Sequence, residues 1–391
     1  MRVNVVCAGR FLSFELAGAL KRLGCLGQHY TCAPVGTGGV PLSQYGLCPS
    51  DVSTLTAPEI LKRMASMLGR RARMRADWLK CMWFQRWVNR HFEPCDVVHA
   101  WAGSAQLLFS AVASNGALRV LDRSSPHRLV SRRILEDEYR RYGARYVDYQ
   151  KGVDMELREY ELADAIFVPS TFVLDSFIKH GFPPEKLFRI PFGCPTAGVR
   201  PRRQQGRTFR VVYVGALAVH KGVRYLLEAA ALLRGLPGFE VVLVGPPPRP
   251  PVTEYLEAYA GTVRHLGYVP KPRLYAEVYP TASVLVQPSV LEGLSFVLLE
   301  ALAHGVPVIA TENSGARDVV SDGEDGYVIP IRDPAAIAER LLFLYRNPDA
   351  LEAMSRRALQ KAKAEATWEE YGRRVVSIYG HLLGNTHGRA G

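Results

Sequence analysis

The amino-acid sequence predicts an α/β protein with two doubly wound parallel sheets that face each other across a cleft. Short apolar runs of strand length alternate with segments of helical spacing from Val3 onward, and the alternation restarts at Phe209. Strands that alternate with helices favour parallel sheets, and ligands of such sheets bind beyond the carboxyl ends of the strands. The length of 391 residues, 48% of them hydrophobic and 22% charged, allows two domains that each bury a core.

The first half opens as a strand, a loop and a helix. Val3–Ala8 is a short apolar run that ends at Gly9, and Leu12–Leu23 follows with helical spacing. Further apolar runs predict strands at Val97–Ala100, Ala117–Leu121, Ala165–Val168 and Leu187–Ile190.

A segment without periodicity separates the two halves. Gly193–Gly206 reads GCPTAGVRPRRQQG, and its Gly, Pro and Arg content is typical of an interdomain linker. The strands predicted after it are Phe209–Val214, Phe239–Val244, Val284–Gln287 and Val306–Ala310. The predicted helices are Val223–Leu233, Leu294–Ala303, Ala335–Tyr345, Leu351–Ala364 and Trp368–Leu383.

The chain is basic, with 49 Lys and Arg residues against 37 Asp and Glu residues and a net charge of +12. Residues 1–200 hold 27 basic and 18 acidic side chains, and residues 201–391 hold 22 and 19, so most of the excess lies in the first half. This excess predicts an anionic partner for the first half, such as a membrane surface, a nucleic acid or a phosphorylated substrate. Ordinary arginine-rich composition that serves solubility is an equally open alternative.

The cysteine content and the hydropathy of the sequence limit the cellular locations that we expect. The cysteines number seven, an odd count, and form no Cys-x-x-Cys pair, which argues against a disulfide framework and a zinc knuckle and favours a reducing compartment. The longest uncharged run, Val97–Leu118, is too polar to span a bilayer, and the N-terminal apolar run is too short for a signal peptide. We expect a cytoplasmic protein, with a peripheral position at the inner face of the membrane as an open alternative.

Ser289–Pro307 is the most informative stretch of the chain. A buried strand leads into a loop with Glu292 and Gly293, and a helix that starts near Leu294 carries Glu300. Glycine lets the backbone approach a ligand closely, and a helix N-terminus with unpaired amides binds anions such as a diphosphate. The amides predicted to do so are those of Leu294, Ser295 and Phe296. In this interpretation Glu292 faces the ligand, and Glu300 accepts hydrogen bonds from two vicinal hydroxyls. The alternative is an ordinary surface loop with an acidic residue at the helix start.

A second stretch, Val214–Gly222, follows a strand and precedes a helix. Its Lys221 could hold a fixed positive charge beside a departing phosphate, which lowers the barrier to the loss of a diphosphate. The alternative is a solvated lysine beside the glycine at a helix start.

Together the two stretches resemble family 4 of the retaining, nucleotide-sugar-dependent glycosyltransferases. The signature of that family is a Glu, seven residues and a second Glu, read here as Glu292, GLSFVLL and Glu300, followed by ALAHGVPVIAT. VGALAVHKGVRYLLEAAALL and VVLVGP resemble the opening of the family's donor domain, and ATWEEYGRRVVSIY resembles its final helix. The resemblance covers most of residues 160–380.

The resemblance implies the GT-B fold, in which two Rossmann-like domains face each other across a cleft. Its expected parts are an acceptor-binding domain over 1–192, a linker over 193–206, a donor-binding domain over 207–365 and a final helix over 366–391 that returns to the first domain. It also implies a nucleotide-diphosphate sugar as donor substrate. The basic, aromatic first half favours a sugar, lipid-linked or polysaccharide acceptor. No nucleic acid partner is expected.

The resemblance also assigns roles to individual residues. Lys221 neutralises the diphosphate, the three amides cradle it, Glu300 binds the ribose and Glu292 lies against the transferred sugar. Gly215 opens the donor loop, the backbone of Gly267–Val269 flanks the base, and the loop with Gly9 and Arg10 faces the acceptor. His127, in the string DRSSPHR, is expected to turn towards the cleft as a partner of sugar hydroxyls; a loop histidine without a role is the alternative.

Three positions depart from the pattern of the family. Ala216 replaces a frequent arginine, so a second cation for the phosphates must come from elsewhere. Ser295 replaces a frequent glycine, and the usual paired glycines of the first loop are reduced to Gly9, followed by Arg10. The sequence has no Asp-x-Asp motif beside a strand and no acidic or histidine cluster with metal-ligand spacing, so we expect a reaction without metal and without a resident cofactor.

The segment Lys62–Phe92 holds nine basic side chains against Asp77 alone, with Trp and Met residues interleaved. Cations beside aromatic residues at helical spacing predict an interfacial helix on anionic lipid. A helix that packs its aromatic face on the core is the alternative.

The sequence thus predicts a retaining, hexosyltransferase-like enzyme of polysaccharide or glycolipid biosynthesis. Two alternatives stay open: a sugar-nucleotide epimerase of the same architecture, and a non-catalytic subunit that binds nucleotide sugar. A nicotinamide oxidoreductase is disfavoured because no Gly-x-Gly-x-x-Gly motif follows the first strand of either half.

Overall fold

The computed structural model describes residues 1–36, 38–194, 199–202, 208–364 and 367–387. The strands of these residues form two parallel sheets. The first sheet has the order β3-β2-β1-β4-β5-β6-β7. Its strands are β1 (Val3–Cys7), β2 (Leu26–Thr31), β3 (Val52–Thr54), β4 (Val97–Trp101), β5 (Leu118–Asp122), β6 (Ala165–Val168) and β7 (Leu187–Arg189).

The second sheet has the order β10-β9-β8-β11-β12-β13, which is also doubly wound. Its strands are β8 (Phe209–Val214), β9 (Phe239–Val244), β10 (Arg264–His265), β11 (Val284–Gln287), β12 (Val308–Thr311) and β13 (Gly326–Ile329). The predicted fold class is confirmed, and each strand predicted from an apolar run is present with its ends shifted by no more than two residues.

Helices cover both faces of the sheets. Those of the first half are α1 (Ser13–Arg22), α2 (Ala57–Ala65), α3 (Arg70–His91), α4 (Gln106–Val112), α5 (Arg128–Arg141), α6 (Gln150–Leu162) and α7 (Thr171–Ile178). Those of the second half are α8 (Val223–Leu232), α9 (Val252–Ala258), α10 (Lys271–Arg273), α11 (Phe296–Ala303), α12 (Pro334–Arg346), α13 (Pro348–Ala364) and α14 (Trp368–His387). Because both faces are covered, central strands such as β1 and β11 are buried throughout, which explains their continuous apolar runs.

Strand β2 was not predicted because its sequence, LGQHYT, is polar. His29 on this strand is fully buried, and its Nε2 lies 3.1 Å from the Ser13 hydroxyl of α1. Burial lowers the pKa of His29 to about 3, so the ring is neutral in the folded protein. The hydrogen bond to Ser13 lets a polar residue occupy a core position.

The C-terminal helix α14 packs against the first sheet and α1. A Cβ on Gly372 would lie 2.7 Å from the Cβ of Ala19, so the two helices touch where both side chains are small. Tyr379 stacks on Phe167 of β6, and its hydroxyl lies 2.5 Å from Nδ1 of His99. The second half of the chain therefore ends on the first sheet.

The two halves are in contact across their facing edges. The Ser170 hydroxyl donates a hydrogen bond of 2.6 Å to the carbonyl of Gly293. Asp318 of the second half accepts hydrogen bonds from the backbone and hydroxyl of Thr171 and pairs with Arg189 at 2.6 Å. The halves thus form a closed arrangement in which loops from both sheets meet.

The predicted domain limits stay a prediction, since more than half of the predicted linker over 193–206 lies outside the described residues. Across the part of the chain that is described, no helix is both long and apolar enough to cross a membrane.

Candidate functional site

The loop after β8 carries Lys221 to the carboxyl edge of the second sheet. A single turn of 3-10 helix, Val219–Lys221, precedes Gly222, which has a φ of 63° and opens α8. A Cβ on Gly222 would lie 2.0 Å from the carbonyl oxygen of Pro288, so only glycine permits this packing of the loop against the end of β11. The close approach brings Lys221 beside the loop that contains Glu292.

Lys221 and Glu292 form an ion pair, in which Nζ of the lysine contacts Oε1 of the glutamate. The second carboxylate oxygen accepts hydrogen bonds from the Ser289 hydroxyl at 3.1 Å and the Gln287 amide at 3.4 Å. The side chains of Lys221 and Glu292 are each 18% exposed, so solvent and a ligand still reach them. The structure therefore brings together the two charged residues that the sequence analysis placed at opposite ends of a sugar diphosphate.

Gly293 lies where the second half touches the first. A Cβ on Gly293 would come 1.8 Å from the carbonyl oxygen of Ser124, which follows β5. Gly315, with a φ of 77°, packs against Gly293 from the opposite side. Glu292 is thus positioned by a loop that is pressed against the first half of the chain.

The predicted cradle of three amides is only partly available. Helix α11 begins at Phe296, and the amide of Ser295 donates a hydrogen bond of 2.9 Å to the carbonyl of Ser314. This bond gives the Ser295 amide a protein partner instead of the predicted diphosphate, because the chain after β12 folds back over the helix start. The predicted anion contacts that remain are those of Leu294 and Phe296.

Glu300 lies on α11, one turn after its start, and is 4% exposed. The hydroxyls of Tyr275 and Tyr279 each donate a hydrogen bond of 2.9 Å to one of its carboxylate oxygens. Burial and the nearby Glu300 raise the pKa values of both tyrosines, so both hydroxyls keep their protons. Oε1 is also 3.1 Å from Nζ of Lys271, so Oε2 is the oxygen that keeps acceptor capacity for a ribose hydroxyl.

The sequence analysis missed these tyrosines and their neighbour Lys271. Tyr275 lies on a π-helical turn, Leu274–Val278, that continues α10, and Tyr279 follows it. Nζ of Lys271 is 3.1 Å from Glu300 and 4.9 Å from the ring centroid of Phe296. The four-residue spacing of the tyrosines in RLYAEVY was the available signal, but nothing in the sequence paired that segment with Glu300.

The predicted base-flanking segment lies at the same edge of the sheet. Gly215 ends β8, and a Cβ on Gly245 at the end of β9 would lie 1.9 Å from its carbonyl oxygen. The amide of Gly245 in turn donates to the carbonyl of Gly267 at 3.0 Å. Gly245 thus connects Gly215 with Gly267, the first residue of the predicted base-flanking segment.

The first half contains a cavity of about 400 Å³, and one of its lining residues, Ser124, is the residue whose carbonyl approaches Gly293. It lies at the carboxyl ends of β1, β4 and β5 and is lined by Gly9, Trp78, Trp101, Ser124, Tyr149 and Glu156 among others. The predicted acceptor loop borders it through Gly9, whereas Arg10 is exposed and donates a hydrogen bond of 3.0 Å to the Tyr45 hydroxyl. Aromatic rings and polar groups at the ends of parallel strands suit a ligand with apolar and hydroxyl-bearing faces.

His127 does not face this cavity as predicted. Its ring is 3% exposed and stacks on His180 with 4.1 Å between ring centroids, beside Tyr160 and Phe177. His127 is the N-cap of α5, and its Nδ1 accepts from the amide of Leu129. Burial, with His180 and Arg123 as further causes, lowers the pKa of His127 to about 3, so the ring is a neutral part of the core.

The charged residues of the cavity are already paired with each other. Arg123 contacts Glu156 at 2.7 Å, and Arg128 contacts Asp148 at 2.5 Å. Within the described ranges, no group of three His, Cys, Asp or Glu side chains has the geometry to hold a metal ion. The cysteines in these ranges form no disulfide.

Comparison with known proteins supports the architecture. Residues 208–347 match the family model described as glycosyl transferases group 1, which spans the second sheet together with Lys221, Glu292 and Glu300. A D-inositol 3-phosphate glycosyltransferase of Corynebacterium urealyticum is 35% identical over 181 residues, 44% of this chain. The matched part spans 42% of the length of that relative.

Two solved structures resemble nearly the whole chain. Sucrose-phosphate synthase from Thermosynechococcus elongatus superposes with a TM-score of 0.72 at 17% identity, covering 98% of this chain and 100% of that one. HepE from Anabaena in complex with UDP superposes with a TM-score of 0.69 at 15% identity, covering 97% and 100%. At this identity the likeness establishes the fold, and the predicted GT-B architecture is confirmed.

Proposed function

We propose that this protein is a retaining glycosyltransferase that moves a sugar from a nucleotide diphosphate to a hydroxyl acceptor. The observation that carries the proposal is the ion pair of Lys221 with Glu292 at the carboxyl edge of the second sheet. Lys221 supplies a cation for the leaving diphosphate, and Glu292, next to it, supplies a carboxylate for the reacting sugar. The cavity of the first half, which is lined by Ser124 next to Gly293, is large enough for an acceptor sugar.

In the proposed reaction the bond between the anomeric carbon and the diphosphate oxygen breaks. The acceptor hydroxyl oxygen bonds to the same face of that carbon, and its proton passes to the departing diphosphate. Negative charge grows on the diphosphate, where Lys221 and the amides of Leu294 and Phe296 stabilise it. Positive charge grows on the sugar ring, where Glu292 stabilises it, since its carboxylate is fixed by Ser289 and Gln287.

The site also suggests how the missing arginine at position 216 is replaced. Lys271 is a cation that contacts Glu300, the residue proposed to bind the ribose. We assign Lys271 as the second cation and Glu300 as the ribose acceptor. With two lysines and helix amides to neutralise the phosphates, the proposed reaction proceeds without a metal.

The donor and acceptor classes follow from chemistry and from the comparisons. The HepE structure contains UDP. The name of the matched D-inositol 3-phosphate glycosyltransferase indicates a small phosphorylated acceptor. Uridine nucleotides and polar acceptors are therefore the first compounds to test. The basic first half favours an acceptor in polysaccharide or glycolipid biosynthesis. We place the protein in the cytoplasm on the odd cysteine count and the lack of a Cys-x-x-Cys pair in the sequence.

Donor recognition is tested by titrating UDP, GDP and ADP into wild-type protein and the Glu300→Gln variant in a calorimeter. We expect one nucleotide to bind and the variant to bind it about 10-fold or more weakly, because a hydrogen bond to a charged group contributes about 1.5–3 kcal/mol. The same nucleotide with a 2′,3′-dideoxyribose should bind both proteins equally. Glu277→Gln, which removes a carboxylate from an exposed ion pair with Arg273, is the matched control and should bind like wild type.

A Glu300→Gln protein that binds as tightly as wild type would remove Glu300 from the donor site. Failure of all three nucleotides to bind the wild-type protein would contradict the proposed function.

A further inference from the structure

An apolar and cationic surface covers the outside of the first half. It belongs to the α2–α3 hairpin, residues 57–91, whose helices join through a tip that ends at Gly69 with a φ of 100°. Large apolar side chains of α2 and the tip point to solvent: Ile60, Leu61, Met64, Met67 and Leu68, which are 53–87% exposed. A soluble protein rarely exposes so many neighbouring apolar side chains without a binding role.

The exposed cations of the hairpin follow this tip directly in the sequence. Arg71, Arg73 and Arg75 are exposed on the first turns of α3. Arg70 differs from them, because it donates a hydrogen bond to the carbonyl of Val147 and lies over the ring of Tyr139 at 5.0 Å. The three following arginines therefore carry the charge that this surface presents.

The acidic residues of the hairpin do not cancel this charge. Residues 57–91 hold two carboxylates, Glu59 and Asp77, against nine Lys and Arg side chains. Both carboxylates are on the inner side, where Lys80 lies 3.4 Å from Glu59 and Lys62 lies 2.9 Å from Asp77. The outer side is thus both apolar and positively charged.

The inner side of the hairpin already serves the fold. Cys81, Phe84 and Val88 of α3 are buried in the core of the first half. Trp78 and Lys80 line the cavity of the first half. Because packing uses this opposite face, the exposed apolar residues of α2 and the tip remain available for a partner. The packing alternative for the basic segment therefore holds for the inner face of α3.

We propose that the tip of the α2–α3 hairpin docks on an anionic lipid bilayer. Met67 and Leu68 enter the boundary between headgroups and acyl chains, and Arg71, Arg73 and Arg75 contact the anionic headgroups. A membrane has anionic headgroups outside and acyl chains inside, so apolar residues at the tip and cations farther from it match these two layers. The same hairpin lines the acceptor cavity, so, on the basis of the proposed function, docking holds that cavity beside acceptors carried in the membrane.

The experiment is sedimentation of the full chain with vesicles, without donor or acceptor. One set of vesicles contains phosphatidylcholine with about 30% phosphatidylglycerol, which gives a negative surface charge. Binding to these vesicles is compared with binding to pure phosphatidylcholine vesicles at low and high salt. We expect binding to the anionic vesicles alone, weakened by salt. Met67→Asp with Leu68→Asp should lower the bound fraction about 10-fold or more, since each loses burial and adds repulsion.

Matched controls separate the hairpin from the rest of the surface. Leu232→Asp adds a charge at an apolar side chain of α8 that is 66% exposed, and it should leave binding unchanged. Replacing Arg71, Arg73 and Arg75 by Gln should weaken binding about 100-fold, because roughly 1 kcal/mol is lost for each of the three arginines. The same replacement of Arg346, Arg356 and Arg357 in the second half, with equal loss of charge, should not.

Three results would overturn the proposal. They are the absence of binding to anionic vesicles, binding that the tip variant retains, and a monomer–dimer equilibrium that the tip variant abolishes while vesicles stay unbound. The last result would assign the surface to a second copy of the chain. Because nucleotide titration does not depend on lipid, failure here and failure of the proposed function give different results.

Discussion

Replacement of Lys221 by alanine is expected to lower the turnover of the nucleotide sugar by about 10²–10³-fold, the usual loss when one preorganised donor for developing negative charge is removed. Lys221 reaches the site through a turn that closes on Pro288, so its ammonium group is fixed before the donor binds. Without it, the charge on the departing diphosphate is stabilised by the amides of Leu294 and Phe296 and by Lys271. Turnover is measured as nucleoside diphosphate released per enzyme.

Two further variants serve as controls for the Lys221→Ala variant. Lys221→Arg keeps the charge but not the geometry of the ammonium group, and it should retain more turnover than the alanine variant. Arg373→Ala removes a cation from an exposed ion pair on α14 and should change turnover less than twofold, as expected of a surface pair of about 0–1 kcal/mol. Wild-type turnover in Lys221→Ala would refute the role assigned to this lysine.

Replacement of Gly293 by alanine is expected to lower turnover by about 100-fold, the typical loss when reacting groups are displaced by about 1 Å. The added methyl group would overlap the carbonyl of Ser124 in the first half, at 1.8 Å. The clash is between the new methyl group and a backbone carbonyl of the other half, so it is relieved by separating the halves. Donor binding should persist within a few-fold, since Lys221 and Glu300 belong to the second half.

Gly261→Ala is the matched control for this clash. The nearest atom to a Cβ at that position is Nη2 of Arg234 at 3.6 Å, an ordinary contact with a flexible side chain. We expect wild-type turnover for this variant. If Gly293→Ala were equally active, contact between the halves at Ser124 would have no part in the reaction.

Much of the fold was predictable because its strands are buried on both faces and therefore read as continuous apolar runs. Strands such as β8 and β11 have the limits expected from the sequence. The polar strand β2 was missed, since the hydrogen bond between His29 and Ser13 that makes burial possible joins residues far apart in the chain.

The candidate site was predictable where a single loop carries the chemistry, as for Glu292 and Glu300, which share one helix start. Contacts between distant segments were not. The Ser314 carbonyl that takes up the Ser295 amide and the tyrosines that bind Glu300 come from other loops. His127 was expected at the cleft because it follows a strand end, but the aromatic neighbours that bury it come from α6 and α7.

The central claim is that Glu292 and Lys221 act on a nucleotide sugar. The most direct test incubates purified protein with a panel of UDP-, GDP- and ADP-sugars, with and without EDTA, and records the nucleoside diphosphate that is freed. We predict release from one donor, unchanged by EDTA and lost in Glu292→Gln, which keeps the shape of the side chain. Release from no donor by a protein that also binds none, or equal release by Glu292→Gln, would contradict the account.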